Sequence, residues 1–201
     1  MAIITKISVG VRRKDRANIY LDGKFVLSLS LDEVVKRGLA KGEEFDESSL
    51  GNLASVSEEE KIFEKIVNFI SYRPRSIKEI TERIKRYAPS LHEKSKDQIL
   101  EKLAKLQLVN DREFAHWFVT SRALHRPRSS RHLRSELYAK GISKDIIEET
   151  VSKLGGDLEA IKKIISKKAN LSRPKLIAHL ARLGFSWELI KGEVDKDPDN
   201  E

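Results

Sequence analysis

Internal repetition constrains this chain more than any other feature. Arg73-Pro74-Arg75-Ser76 recurs as Arg126-Pro127-Arg128-Ser129 at an offset of 53, where Ile80 also meets Leu133 and Ile84 meets Leu137. At an offset of 43, Leu133, Leu137, Gly141, Ile142, Ser143 and Ile147 map onto Leu176, Leu180, Gly184, Phe185, Ser186 and Ile190. Arg173-Pro174-Lys175 supplies a third Arg-Pro-basic step, displaced by four residues. A period in this range marks a helical array whose units bury their apolar faces on one another. Each unit reads as helix, basic proline turn, helix, turn, helix, with Gly141 and Gly184 closing the middle helix.

Ahead of the repeats the backbone style differs. Five of the ten glycines lie within the first 51 residues and none occurs from Asn52 through Lys140, which places a domain boundary near position 55. Ile4 to Arg12 and Ala17 to Leu29 alternate like strands, and Asp22-Gly23 is a hairpin signal between Ile19-Tyr20-Leu21 and Phe25-Val26-Leu27. Ser30 with Glu33 forms a capping box for a short helix that Gly38 stops. Capping boxes at Ser57 with Glu60, Ser76 with Glu79 and Ser95 with Gln98 predict helices near 58–72, 77–88 and 95–109. Asn110-Asp111 and Asp157 open two more. The expected architecture is mainly α. A β-hairpin and helix domain (1–55) precedes three three-helix repeats (56–110, 111–155, 156–195) in an elongated, curved array, and an acidic tail (196–201) ends the chain.

Several function classes have nothing to stand on. With no cysteine there is no disulfide framework, no thiolate-held metal and no thiol nucleophile, and a reducing, cytoplasmic setting fits. No apolar run approaches the ~20 residues of a membrane span, and the first residues meet charge too early for a signal peptide. There is no phosphate-binding glycine loop, H-E-x-x-H or nucleophile elbow. His92, His116, His125, His132 and His179 lack metal-ligand spacing. Neither an enzyme nor a bound cofactor or metal is expected. Phe114, Trp117, Phe118 and Trp187 read as core residues, and Pro74, Pro127 and Pro174 as helix starts.

Charge carries the positive signal. Lys plus Arg total 39 against 31 Asp plus Glu, a net +8. Ser121 to Lys140 holds six cations against Glu136 alone, and Ile161 to Leu183 holds seven cations and no acid. Same-sign clusters of this density repel one another unless a polyanion neutralises them or acidic helices of the same fold do so. L-x3-L-x3-G-I-S-x3-I also has helix-turn-helix spacing, which makes a DNA-binding transcriptional regulator the alternative. Both reading helices, after Ser143 and after Ser186, are net negative, and they lack the Arg, Asn and Gln set that reads base edges. A structural helical adaptor is a third possibility.

Taken in order, the YLDGKF hairpin (Tyr20 to Phe25), SYRPRS (Ser71 to Ser76), NDREFA with Ser121-Arg122 (Asn110 to Ala115), LYAKGIS (Leu137 to Ser143) and LARLGFSWELI (Leu180 to Ile190) resemble the RecX regulatory proteins. The resemblance implies a bacterial cytoplasmic monomer that acts in regulation of DNA repair, DNA recombination and the SOS response. Its partners would be the RecA recombinase filament and single-stranded DNA, with double-stranded DNA an open question, and it would not bind membranes. Such a protein inhibits the filament's ATPase and strand exchange without catalysis of its own. The residues expected to contact partner or nucleic acid are Arg73, Arg75, Arg122, Arg126, Arg128, Arg131, Arg134, Lys167, Lys168, Arg173 and Lys175.

Overall fold

The hairpin forms where the Asp-Gly pair placed it. In a computed structural model that describes residues 1–195, Asp22 and Gly23 both have positive φ (48° and 81°). A tight type I′ turn demands that of its two central residues. The turn joins β2 (Arg16–Leu21) to β3 (Lys24–Ser30), while β1 (Ala2–Val9) pairs antiparallel with β2. Ser30 then caps α1 (Leu31–Arg37) by accepting from the Glu33 amide, and Gly38 ends it in the left-handed region. A two-residue strand that periodicity cannot reveal, β4 (Glu44–Phe45), pairs with the start of β1, giving the order β3-β2-β1-β4.

The sheet buries Ile4, Ile19, Leu21, Leu27, Leu29 and Phe45 against Leu53 of α2 (Glu47–Ser71). That helix corrects one expectation. It begins at Glu47 and runs through position 55, so Ser57 is no cap. Ser57 is buried in mid-helix and donates its hydroxyl to the Ser28 carbonyl at 2.8 Å. Glu60, expected to complete a capping box with Ser57, instead accepts from the Ser30 amide at 2.9 Å and from the Ser30 hydroxyl. Arg16, nearly buried, bridges Glu60 (3.2 Å) and Glu64 (2.8 Å) and donates to the Ser28 carbonyl. A buried guanidinium is tolerated because each of these partners compensates its lost hydration.

By contacts the chain divides into two compact units, Met1–Ser71 with Arg83–Glu101, and Tyr72–Glu82 with the residues from Lys102 onward. In sequence the helices continue as α3 (Ile77–Tyr87), α4 (Glu93–Lys105), α5 (Asp111–His125), α6 (Ser130–Ala139), α7 (Lys144–Ser152), α8 (Gly156–Lys167), α9 (Arg173–Arg182) and α10 (Trp187–Val194). Ser76 caps α3 as expected, through the Glu79 amide. Ser95 does not cap: α4 starts at Glu93, which leaves Ser95 inside the helix.

Two three-helix units share one design. In the first, α5, α6 and α7 enclose Phe114, Phe118, Leu133, Leu137, Ile142, Ile147 and Val151. In the second, α8, α9 and α10 enclose Ile161, Ile164, Leu176, Leu180, Phe185, Ile190 and Val194. The offset of 43 is thus structural, and Val151 with Val194 extends it. Gly141 and Gly184 have φ of 81° and 85°, and Ser143 and Ser186 open the following helices with near-identical dihedrals. Leu137 and Leu180 are fully buried, and truncating either core leucine to Ala would cost about 2–5 kcal/mol.

The prolines differ from expectation. Ser129 caps α6 and Ser172 stands at the N-cap of α9, again 43 apart, but Pro127 precedes its cap whereas Pro174 lies inside the first turn of α9. Pro74 likewise precedes the Ser76 cap. Arg173-Pro174-Lys175 is therefore not the structural counterpart of Arg126-Pro127-Arg128. The acidic tail expected over 196–201 lies outside the described residues.

Candidate polyanion interface

The candidate cations divide by what they touch. Arg73 forks onto Glu79 (3.0 and 3.1 Å) and lies 5.3 Å from the Trp117 ring, while Lys140 reaches the same carboxylate at 2.6 Å. Burial alone would push the Glu79 carboxyl up, but the hydrogen bonds from Arg73 and Lys140 hold it below the usual carboxylate range. Arg122 pairs with Glu136 (2.9 Å) and covers Phe118 at 4.9 Å; Arg134 pairs with Glu148 (3.0 Å); Arg173 pairs with Asp195. Arg75 is half-buried and also interacts within the fold.

The acidic third helices explain themselves in the same way. Glu148 of α7 meets Arg134, Glu149 meets Arg112 and Lys153, and Glu193 of α10 faces Lys162 at 3.9 Å. These three carboxylates are paired with cations of their own fold. Intramolecular neutralisation thus accounts for part of the basic excess.

It does not account for the rest. Arg126, Arg128, Arg131, Lys167, Lys168 and Lys175 have no carboxylate partner among the described residues. Arg126 follows the last turn of α5, and Lys167 and Lys168 end α8. Arg126, Arg128, Lys167 and Lys168 border one cleft of about 250 Å³ together with His179. Burial pushes the His179 imidazole down first, and Arg182, Lys168 and Arg128 push it further. Arg131 and Lys175 stand outside that cleft, exposed.

Phe114 and Phe118 are core as expected, but Trp187 is not: 59% of its surface is exposed at the start of α10. The sequence also gave no hint of the clasps that join successive units. Asp111 accepts from the Ile77 amide (2.9 Å), and Asp157 accepts from the amide and hydroxyl of Ser130 (2.7 Å each). In both, a carboxylate in the first turn of one helix, α5 or α8, caps an earlier helix, α3 or α6. His132 Nδ1 meets the Leu183 carbonyl at 2.7 Å, which requires the proton on Nδ1. No group of three or more His, Asp or Glu that could hold a metal occurs among the described residues.

A small four-stranded sheet followed by three-helix units with interlocking turns defines a helical-repeat protein with an N-terminal β-sheet. Residues 2–46 match the family model of the regulatory protein RecX N-terminal domain, and residues 110–151 match that of the RecX second three-helix domain. The regulatory protein RecX of Bacillus pumilus is 36% identical over 203 residues, spanning 94% of this chain and 75% of the relative. That of Bacillus subtilis is 32% identical over 206 residues, spanning 98% and 77%. A crystal structure of regulatory protein RecX, 25% identical, superimposes with a TM-score of 0.74 over 98% of this chain and 100% of that one. RecX from Lactobacillus salivarius shares the fold over 68% of this chain and 96% of its own, with a TM-score of 0.53 at 24% identity. The chain belongs to the RecX family of regulatory proteins. No helix among the described residues is long and apolar enough to cross a membrane.

Proposed function

We propose that this protein is a non-enzymatic, monomeric, cytoplasmic regulator of homologous recombination and the SOS DNA-damage response. It binds the RecA filament on single-stranded DNA and inhibits ATP hydrolysis and strand exchange, by blocking extension or promoting disassembly. The observation that carries the reading is the set of cations left without carboxylate partners in a chain of the RecX family. A filament of recombinase and DNA is a dense polyanion, and neutralising it releases counterions. The net negative charge of α7 and α10, which also lack the Arg, Asn and Gln set that reads base edges, weighs against base readout by those helices.

The test is ATP hydrolysis by RecA preassembled on single-stranded DNA, with this protein well below one per RecA protomer and salt held fixed. Suppression is expected. Charge reversal of Arg126, Arg128 and Arg131 together should abolish it while the helical circular dichroism stays unchanged. No suppression at equal protein, with strong preference for one duplex sequence, would overturn the reading in favour of a transcriptional regulator.

A further inference from the structure

We propose that the cleft bordered by Arg126, Arg128, Lys167, Lys168 and His179 is a phosphodiester-binding site for single-stranded DNA, and that it holds the strand itself rather than RecA. The inference rests on the reading above only in taking the filament's DNA as the physiological ligand.

Three observations carry it. Arg128 is half-buried, and its Nε is fully enclosed with no hydrogen-bond partner among the described residues. A half-buried guanidinium with an unpaired donor is unfavourable, and because Arg128 also lines the cleft, an anion held there would offset its charge. Next, no carboxylate among the described residues borders the cleft; Asp157 and Glu159 line a neighbouring cleft that shares Pro127 and Arg128. The partial charges of helix ends explain a cation at the close of α5 or α8, but they give no reason to gather four cations around one opening. Finally, Pro127, Ile164 and Leu183 give the opening an apolar floor, the pairing of anion site and apolar surface that a nucleotide presents.

Continuity favours a strand over an acidic peptide. His125 and Arg126 also border a second cleft of about 320 Å³, where Arg122 lies over Phe118 and Arg73 over Trp117. Two adjoining clefts that share Arg126 beside apolar or aromatic surface suit successive nucleotides, although Arg73, Arg122 and Lys140 of the second already meet Glu79 and Glu136. Anions repeat along such a strand at every unit, and its bases bring the apolar faces.

The experiment follows a labelled single-stranded oligonucleotide by fluorescence anisotropy against the full chain without RecA, over a salt series. Lys167→Gln with Lys168→Gln changes only exposed side chains. It should weaken binding roughly ten-fold near physiological salt and reduce the log–log salt slope by about 1.4, from ~0.7 per lost phosphate contact on single strands. Lys24→Gln with Lys41→Gln, in the other unit, should leave both unchanged. Adding oligonucleotide to the unmodified chain should raise the midpoint of the His179 titration followed by NMR, because a neighbouring anion favours imidazolium. An unchanged slope with an unmoved His179, or no binding even at low salt, would overturn the site. If inhibition of RecA were still lost in that double variant, the cleft would take an acidic protein surface and the proposed function would survive. Loss of oligonucleotide binding in a chain that never inhibits RecA would support the site and sink the function.

Discussion

Gly184 and His132 adjoin without margin: a β-carbon on Gly184 would lie 2.5 Å from His132 Nδ1, whose ring is tied at 2.7 Å to the Leu183 carbonyl. The left-handed φ of 85° makes any side chain there strained as well. Gly184→Ala should therefore lower stability by about 1–2 kcal/mol from the backbone alone, with the clash adding to it. His132→Ala removes the nearest contact, so the two changes together should be less costly than their sum by at least ~0.5 kcal/mol in thermal unfolding. Strict additivity would show that the turn and the ring do not touch in solution.

The same interlock occurs one unit earlier, and there the neighbour is less forgiving. A β-carbon on Gly141 would meet Lys78 Cβ at 2.8 Å, an atom fixed to the backbone of α3. No truncation short of Lys78→Gly relieves that contact. Gly141→Ala should accordingly be the more destabilising of the two glycine changes, and Lys78→Ala should fail to rescue it, as read by the melting midpoints of the four variants. A full rescue would place the strain elsewhere.

Asp111 and Glu79 respond oppositely to pH. Burial pushes the Asp111 carboxyl above its ordinary value, only partly offset by the Ile77 amide. Its ionised form is thus penalised in the folded state, and stability falls as pH rises from the unfolded value of 3.8 through the folded one. Asp111→Asn keeps an acceptor without the charge, so at neutral pH it should match or exceed the parent, an advantage that fades on acidification. Glu79 is held low, so its stabilisation is present above 4.5 and lost as pH falls through the folded value. Glu79→Gln should cost up to about 1 kcal/mol at neutral pH, within the range of partly exposed ion pairs, and nothing in acid. Denaturant midpoints for both variants across pH 3–7 would settle the signs.

Much of this architecture is legible in the sequence because its signals are local. Asp22-Gly23, Ser30 with Glu33, Ser76 with Glu79 and the glycines of the repeats each act within a few residues, and the structure has each doing what its spacing implies. The failures share a cause too. Ser57 and Ser95 match a capping pattern, but a serine caps only where the chain stops being extended, and tertiary packing carries α2 back to Glu47 and α4 back to Glu93. Arg173-Pro174-Lys175 reads like its predecessors in letters, whereas the Ser172 cap sets the true register. For the interface, a run of cations is visible in sequence while its counterions are not. Glu79, Glu136 and Glu148 neutralise Arg73, Arg122 and Arg134 across 6, 14 and 14 residues.

That partition predicts two kinds of basic variant. Arg134, paired with Glu148 through a bidentate contact at 3.0 to 3.1 Å, is partly exposed, so Arg134→Gln should cost at most about 1 kcal/mol of stability. It should also leave the salt slope of polyanion binding nearly unchanged, because the arginine it removes already has its counter-charge. Arg131, two residues after the Ser129 cap and with no carboxylate partner among the described residues, should behave in the reverse way. Arg131→Gln should leave the unfolding free energy within about 0.5 kcal/mol of the parent, as surface changes do. Its salt slope should fall by about 0.7 on a single-stranded oligonucleotide if Arg131 meets a phosphate. Equal slopes for the two variants would mean that pairing within the fold does not decide which cations are offered to the partner.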